Sequence, residues 1–466
     1  MNSIESHFSN PVLAFDVPDP DVIALSAGGY AMVASSFDRR PGLPLWHSND
    51  LVRWTPVGFA GGHAEMLHPS GGVWAPAIRE RDGRLYITWA DPDRGVFAVD
   101  APAVAGPWSA PRRVIAGPGP IDPCPFWDDD GRAWIIHGWA RSRAGFANRL
   151  DLVEVDPGLT HTVGSGRVTI DGDGIDGCTV LEGPKLYRRG AHYWVFAPAG
   201  GVETGWQYAF RSDSLAGPWE SRIVLEQGGT EVNGPHQGAW VIGAAGEEWF
   251  LHFQHTPRHG RILHLQPLRW GEDDWPLIGT AVAGGPAEPV ATWPHPTARP
   301  STDEPVVTGA MIGWHGRRAD PATIVEREDA GVVRLLPGGH LARPLDVDAR
   351  RIAVTLLEGT GALRVFGAQD HGVRVVPSAP APLDDMPGTH VVVTRLPAEL
   401  AVIITREMGS FSVDGHAVGE PFTLTPEQWA GIDVAIGAEG TTPAVFDVST
   451  IAETARGVED APMSMT

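Results

Sequence analysis

Cysteine is nearly missing from this sequence. Its 466 residues hold only Cys124 and Cys178, too few for a disulfide framework and in keeping with a reducing compartment. Basic charge is short as well: 35 Lys and Arg stand against 57 Asp and Glu, a formal charge of −22. That balance excludes partners that select a basic surface, nucleic acid above all. No uninterrupted apolar run is long enough to span a bilayer. The opening residues, MNSIESHFSNPVLAF, lack the basic and apolar regions of a secretory signal. The expectation is a cytoplasmic protein with no nucleic-acid and no membrane partner. Long helical periodicity is also missing, which argues against an α-helical fold.

Glycine (57) and proline (42) are abundant instead, and short alternating runs such as Arg84-Leu-Tyr-Ile-Thr-Trp89 end at Asp-Gly or Gly-Gly turns. This is the pattern of an all-β protein. The runs repeat. Asp19-Pro-Asp-Val-Ile leads to Gly28-Gly29 and Tyr30-Ala-Met-Val, and Trp74-Ala-Pro-Ala-Ile to Asp82-Gly83 and Leu85-Tyr-Ile-Thr-Trp89. Asp122-Pro-Cys-Pro-Phe, Glu182-Gly-Pro-Lys-Leu and His236-Gln-Gly-Ala-Trp open three more copies. Five units about 50–60 residues apart, each with several strands, predict a five-bladed β-propeller. The first residues of the units, Asp19, Trp74, Asp122, Glu182 and His236, are then expected at equivalent positions around one mouth of the axis.

The propeller is expected over residues 1–285. Residues 286–305 are Pro-rich (Pro286, Pro289, Trp293-Pro-His-Pro296, Pro300, Pro305) and read as a linker or strap. Strand patterns at Arg351-Ile-Ala-Val-Thr-Leu, His390-Val-Val-Val-Thr-Arg395 and Leu400-Ala-Val-Ile-Ile-Thr405 predict an auxiliary C-terminal β-sandwich over 306–466. Of 18 tryptophans only Trp314 and Trp429 lie beyond residue 300, so aromatic sugar platforms are expected in the first domain.

Acidic residues open three of the five units. Breaking a glycosidic bond needs a protonated carboxyl on the leaving oxygen and a carboxylate opposite, about 6.5–9.5 Å away for inversion and about 5–5.5 Å for retention. Carboxyls on different blades favour the wider gap. A third carboxylate nearby keeps the acid protonated by like-charge repulsion, and Asp122 suits that role. Asp-Pro and Glu-Gly-Pro also start ordinary turns, but turn chemistry does not require an acid at the same place three times. Asp128, Asp129 and Asp130 read as a solvated turn. Trp74 is either a stacking face for a sugar or propeller core. His236 suits an axial ion, an axial water network or a satisfied core histidine. Arg261 binds hydroxyls, orients a carboxylate or lies on the surface. His252, His255, His259 and His264 have no zinc-site spacing.

These stretches resemble glycoside hydrolase family 43. The resemblance runs through Asp19-Pro-Asp-Val-Ile, Val33-Ala-Ser-Ser-Phe37, Pro41-Gly-Leu-Pro, His47-Ser-Asn-Asp-Leu51 and Gly71-Gly-Val-Trp-Ala-Pro76. It continues in order with Ile121-Asp-Pro-Cys-Pro-Phe126, Leu181-Glu-Gly-Pro-Lys-Leu186, Asn233-Gly-Pro-His-Gln-Gly-Ala-Trp240 and Gly260-Arg-Ile-Leu-His-Leu-Gln-Pro267. It covers roughly residues 10–280. It implies a five-bladed propeller and an inverting, exo-acting β-xylosidase or α-L-arabinofuranosidase acting on an oligosaccharide. Asp19 falls on the family's general base, Asp122 on its pKa-modulating aspartate and Glu182 on its general acid. Phe37 and Trp74 match aromatic walls of the sugar pocket, and Arg261 an arginine that contacts substrate. His236 matches a histidine near the axis, in some members close to a calcium ion or water. No cofactor is required, and whether a structural calcium sits at the axis near His236 is left open, as is the oligomeric state.

Two departures stand out. Val17-Pro18 precedes the base where many members have His-Pro, and Trp139-Ala-Arg-Ser-Arg-Ala-Gly145 fits one branch better than typical xylosidases. An exo-glycosidase on another furanoside, such as a galactofuranoside, and a non-catalytic carbohydrate-binding propeller are the alternatives. A phosphorylase would need a basic pocket for phosphate, and a pure scaffold would not need paired acids.

Overall fold

A computed structural model of the chain describes residues 7–301, except 38, 62–71 and 257–259, and beyond residue 301 a set of strands between 316 and 447. His259, Pro305, Trp314 and Trp429 lie outside the described residues. The chain divides into two compact units, with the change-over after Val307.

The first unit carries five four-stranded antiparallel sheets, each built from strands in chain order. Blade I comprises Asp21–Ala24, Tyr30–Val33, Gly42–Ser48 and Thr55–Gly61, and blade II Trp74–Arg81, Arg84–Asp91, Gly95–Ala101 and Arg112–Ala116. Blade III comprises Pro120–Trp127, Ala133–Trp139, Arg149–Val155 and Arg167–Asp171. Blade IV is Lys185–Arg189, His192–Ala199, Trp206–Ser212 and Glu220–Leu225; blade V is His236–Ile242, Glu248–Thr256, Gly260–Trp270 and Pro276–Ile278. The expected turns join the first two strands of each blade. At Asp82-Gly83 both residues have positive φ (50° and 72°) between paired Arg81 and Arg84, the two-residue turn that matches strand twist.

The blades cohere because each buries an apolar face against the next. Leu43, Ile78, Ile87 and Trp89 join blades I and II; Val96, Ala98, Ile135 and Val153 join II and III; Ile136, Leu152, Val195 and Phe210 join III and IV. Trp194, Phe196, Phe250 and Trp275 fill the space between IV and V. Tyr30, Met32, Leu251 and Leu263 close V onto I. The Pro-rich segment is a strap. Ala287 bridges to Leu225 of blade IV, Val290 N–H donates to Gln266 Oε1 of blade V, and Thr292–Pro294 pairs with His7–Ser9. Arg299 then bonds Asn49 and Leu25 of blade I. No helix among the described residues is long and apolar enough to cross a membrane.

In the second unit, seven strands order as Val325–Asp329, Val332–Leu335, Ala444–Asp447, Arg351–Glu358, Ala398–Thr405, Met408–Val413 and His416–Thr423. A second sheet orders as His340–Pro344, Asp433–Ala438, Gly361–Phe366 and Gly388–Val393.

Candidate active site

Every blade enters its innermost strand through the same irregularity. Three residues on the inner strand oppose two on its neighbour: Trp74 pairs with Ala90 but Ala77 with Thr88, and Ile121 with Gly138 but Cys124 with Ile136. His236 pairs with Phe253 and Ala239 with Leu251. In blade I Ser35 N–H donates to Pro18 and Asp21 pairs with Val33; in blade IV Glu182 N–H donates to Pro198 and Lys185 pairs with Phe196. The residue after the first one of each bulge has positive φ: Asp19 (52°), Ala75 (31°), Asp122 (56°), Gly183 (60°) and Gln237 (31°). A bulge re-aims a side chain, and proline, which follows in four of the five, is tolerated there because it has no N–H to give the ladder.

This register corrects the expected equivalence of the five leading residues. Asp19 and Asp122 take the left-handed position, whereas Trp74, Glu182 and His236 stand one residue earlier, level with Pro18 and Ile121. Four of the five motifs share a proline, but their leading side chains come from two adjacent positions.

The predicted residues are nonetheless brought together. Asp19 is buried; its Oδ2 accepts from Ser35 Oγ at 2.6 Å and its Oδ1 from Arg261 Nη1 at 2.5 Å. Ser35 Oγ in turn accepts the Ala75 N–H at 2.7 Å, tying blade I to blade II. The Arg261 guanidinium lies over Phe37 at 5.7 Å and over Phe253 at 4.9 Å. Phe37 meets Trp74 edge-on at 6.1 Å, and Arg143 from the blade III loop stands 5.9 Å over the Trp74 ring. Trp74 also packs on Ala90, Ile121 and Ala140, the core contacts the sequence left as its other reading.

Asp122 Oδ2 accepts the Gly183 N–H at 2.8 Å. Burial, then the charges of Glu182 and Asp19, push its carboxyl up from 3.8 to about 8, against the opposing pull of that N–H and of Lys185. Glu182 Oε1 lies 3.4 Å from Nε2 of His236, whose ring is buried against Phe253 at 5.3 Å. Glu182 is the more open of the pair, with a quarter of its side chain exposed.

Beneath the acids the axis is filled by charges that the sequence motifs did not single out. Asp21 Oδ2 accepts from Arg79 Nη1 and from the Ile78 N–H, both at 2.7 Å. Lys185, fully buried, donates to the Pro76 carbonyl at 3.1 Å, with Asp21 Oδ1 at 3.9 Å. Arg79 also reaches Cys124 Sγ at 3.0 Å. Asp21, Cys124 and Lys185 each stand two residues past the left-handed position, so the repeat itself marks them. Ser35 sits inside Val33-Ala-Ser-Ser-Phe37, two residues before Phe37. His252 and His264 stack at 5.3 Å inside blade V, away from the acids' contacts.

Calcium takes six to eight oxygen ligands. Among the described residues no group of three or more His, Cys, Asp or Glu side chains could hold a metal ion. An imidazole beside one carboxylate at His236 does not make that set.

A "Putative beta-xylosidase" of Xylanibacter ruminicola is 42% identical over 297 residues, 61% of this chain and 54% of its own. A non-reducing end alpha-L-arabinofuranosidase of Bacteroides ovatus is 30% identical over 298 residues, 58% of this chain and 53% of its own. The chain thus spans about half the length of these relatives. Among solved structures, a xylan beta-1,4-xylosidase from Bacillus halodurans superposes with a TM-score of 0.73 at 22% identity, over 94% of this chain and 99% of its own. The profile of glycosyl hydrolases family 43 matches residues 8–276, the five blades almost entire. The chain belongs to glycosyl hydrolases family 43.

Proposed function

We propose that this chain is an exo-acting, inverting glycoside hydrolase that releases terminal pentose, β-D-xylose or α-L-arabinofuranose, from plant-type oligosaccharides. The observation that carries the reading is the gathering of three carboxyls, with Asp122 held up to about 8 by burial and by Glu182 and Asp19. Asp19 acts as base: it takes a proton from water as that water attacks the anomeric carbon. Glu182 acts as acid: its proton passes to the glycosidic oxygen as the carbon–oxygen bond breaks. Single displacement inverts the anomeric centre. Asp122 modulates the acid's pKa and orients it, and Arg261 with Phe37 and Trp74 frames the sugar. The pentose assignment is supported by relatives named as a xylosidase and an arabinofuranosidase.

The route needs no cofactor. A structural calcium at the axis would draw mostly on backbone carbonyls and water. The second unit we assign to a β-sandwich; Leu335 in the larger sheet and Ile436 in the smaller, both fully buried, support two sheets facing a shared interior. Cys124 and Cys178, buried and unpaired, support a cytoplasmic setting.

Initial rates on 4-nitrophenyl β-D-xyloside, α-L-arabinofuranoside, β-D-galactofuranoside and β-D-glucoside test the reading. Turnover of a pentoside that disappears in Asp19→Ala is expected. Turnover of the galactofuranoside alone would move the substrate to hexofuranosides, and silence throughout would favour a binding propeller.

A further inference from the structure

A fourth carboxylate lies beside the base, on the segment leading into blade I, and neither proton transfer uses it. Asp16 Oδ1 accepts the backbone N–H of Arg261 at 2.9 Å, and its Oδ2 accepts from Arg39 Nη2 at 3.1 Å. Both side chains of this ion pair are well covered, Arg39 at 14% and Asp16 at 8% exposure. A second bond runs alongside, from the Val17 N–H to the Arg261 carbonyl at 2.8 Å. The neighbouring glycine is shaped to the contact: Gly260 has φ +70°, and a Cβ there would stand 2.4 Å from Asp16 Oδ1.

The two ends of Arg261 are therefore held by two aspartates. Asp16 grips its root through the main chain, and Asp19 receives its tip at 2.5 Å. An arginine side chain has several free rotors, and ordering it costs entropy unless its origin and its end are both constrained. With its root held, the guanidinium meets the carboxylate of Asp19 while lying over Phe37 and Phe253. Two aspartates and two arginines alternate through this group, so its charges balance.

We infer that Asp16 is a positioning residue, a tether on Arg261 that sets the geometry of the guanidinium against Asp19 and the bound sugar. The inference rests on the hydrolase reading for its kinetic consequence but not for its structural one. Misplacement of a reacting or binding group by about 1 Å can cost on the order of 10²-fold in rate. Asp16→Ala is accordingly expected to lose roughly 10- to 100-fold in kcat/KM.

The decisive measurement is a double-mutant cycle with Arg261→Ala. If Asp16 acts through Arg261, Asp16→Ala removes nothing further once the guanidinium is gone; multiplying losses would overturn the inference, because a merely structural role is blind to Arg261. Asp16→Asn keeps an acceptor oxygen for the Arg261 N–H and is expected to recover most of the activity; an Asn variant as poor as Ala would overturn it. Gly260→Ala, which crowds the same oxygen, should reproduce the loss and its dependence on Arg261, and serves where Asp16→Ala fails to fold. A crystal structure of Asp16→Asn and of Gly260→Ala reads the tether without activity. In the glycine variant the Arg261–Asp19 contact should be broken; a guanidinium still seated on Asp19 would sink the inference. A wild-type protein inert on every glycoside would defeat the hydrolase reading alone, while these structures would still decide the tether.

Discussion

The N–H of Gly183 points at the carboxylate of Asp122, 2.8 Å from Oδ2. The residue that follows the acid thereby holds the neighbouring aspartate, and the two blades cannot shift without disturbing both carboxyls. Asp122 is buried where Glu182 and Asp19 also raise its affinity for a proton, so ionising it there carries a cost in stability.

That cost has a definite pH dependence. A carboxyl whose pKa rises from 3.8 in the unfolded chain to about 8 in the fold binds its proton more tightly when folded. Its stabilising contribution is complete in acid and is lost as pH climbs through that window. Asp122→Asn, which is neutral at every pH, should therefore melt above the wild type at pH 8.5 and lose that advantage toward pH 5, while its activity falls. Thermal melts of both proteins across this range check the sign. An advantage that does not grow with pH would contradict the buried-carboxylate account.

Glu182→Ala should separate substrates by leaving group. General acid catalysis contributes about 10²–10⁴-fold, and a 4-nitrophenolate needs little of it whereas a sugar hydroxyl needs all. The loss should be far larger on xylo- or arabino-oligosaccharides than on aryl glycosides. Equal losses would remove Glu182 from the acid's role.

Stereochemistry tests the mechanism directly. Proton NMR of early turnover should show the released sugar in the anomeric configuration opposite to that of the substrate, before mutarotation scrambles it. Retained configuration would require a covalent intermediate and a closer pair of carboxyls.

Lys185→Met probes the axis. The ammonium donates to the Pro76 carbonyl from a fully buried position, and leaving such an acceptor unmet costs about 1–3 kcal/mol. Lys185 also pulls the Asp122 carboxyl down, so its removal should raise that group further. Denaturant unfolding reports the first effect, and the Asp122-dependent slope of melting temperature against pH the second.

A separate acid sensitivity resides in blade V. Burial lowers His252 to about 4 and His264 well below its ordinary value. Both imidazoles are neutral in the fold, with Gln254 bonded to His264 at 3.1 Å and Gln266 to His252 at 3.2 Å. A depressed histidine favours the unfolded, protonated chain, so stability is intact above about pH 6.5 and falls as pH drops below it. His264→Gln should flatten the fall in melting temperature between pH 6.5 and 4; an unchanged slope would place the acid lability elsewhere.

The five-bladed architecture was legible in the chain because each blade carries its own turn, and four of the five an inner-strand proline, and both leave local marks. Asp82-Gly83 and the repeated X-Pro entries are such marks. The candidate site residues Asp19, Asp122 and Glu182 were picked out for the same reason: they stand within two residues of those prolines, and family motifs surround them. Which face each side chain takes was not. A one-residue bulge is a matter of pairing between strands, so the offset of Trp74, Glu182 and His236 from Asp19 and Asp122 emerges only from the ladder register. The same holds for Asp16, Ser35 and Lys185. Their partners lie 245, 40 and 109 residues away in the chain, and no local pattern predicts which distant N–H or carbonyl a buried polar group will meet. Sequence alone determined the repeat and the chemical types set around the axis; only tertiary structure decided their mutual contacts, because closing the ring is what brings the blade entries together.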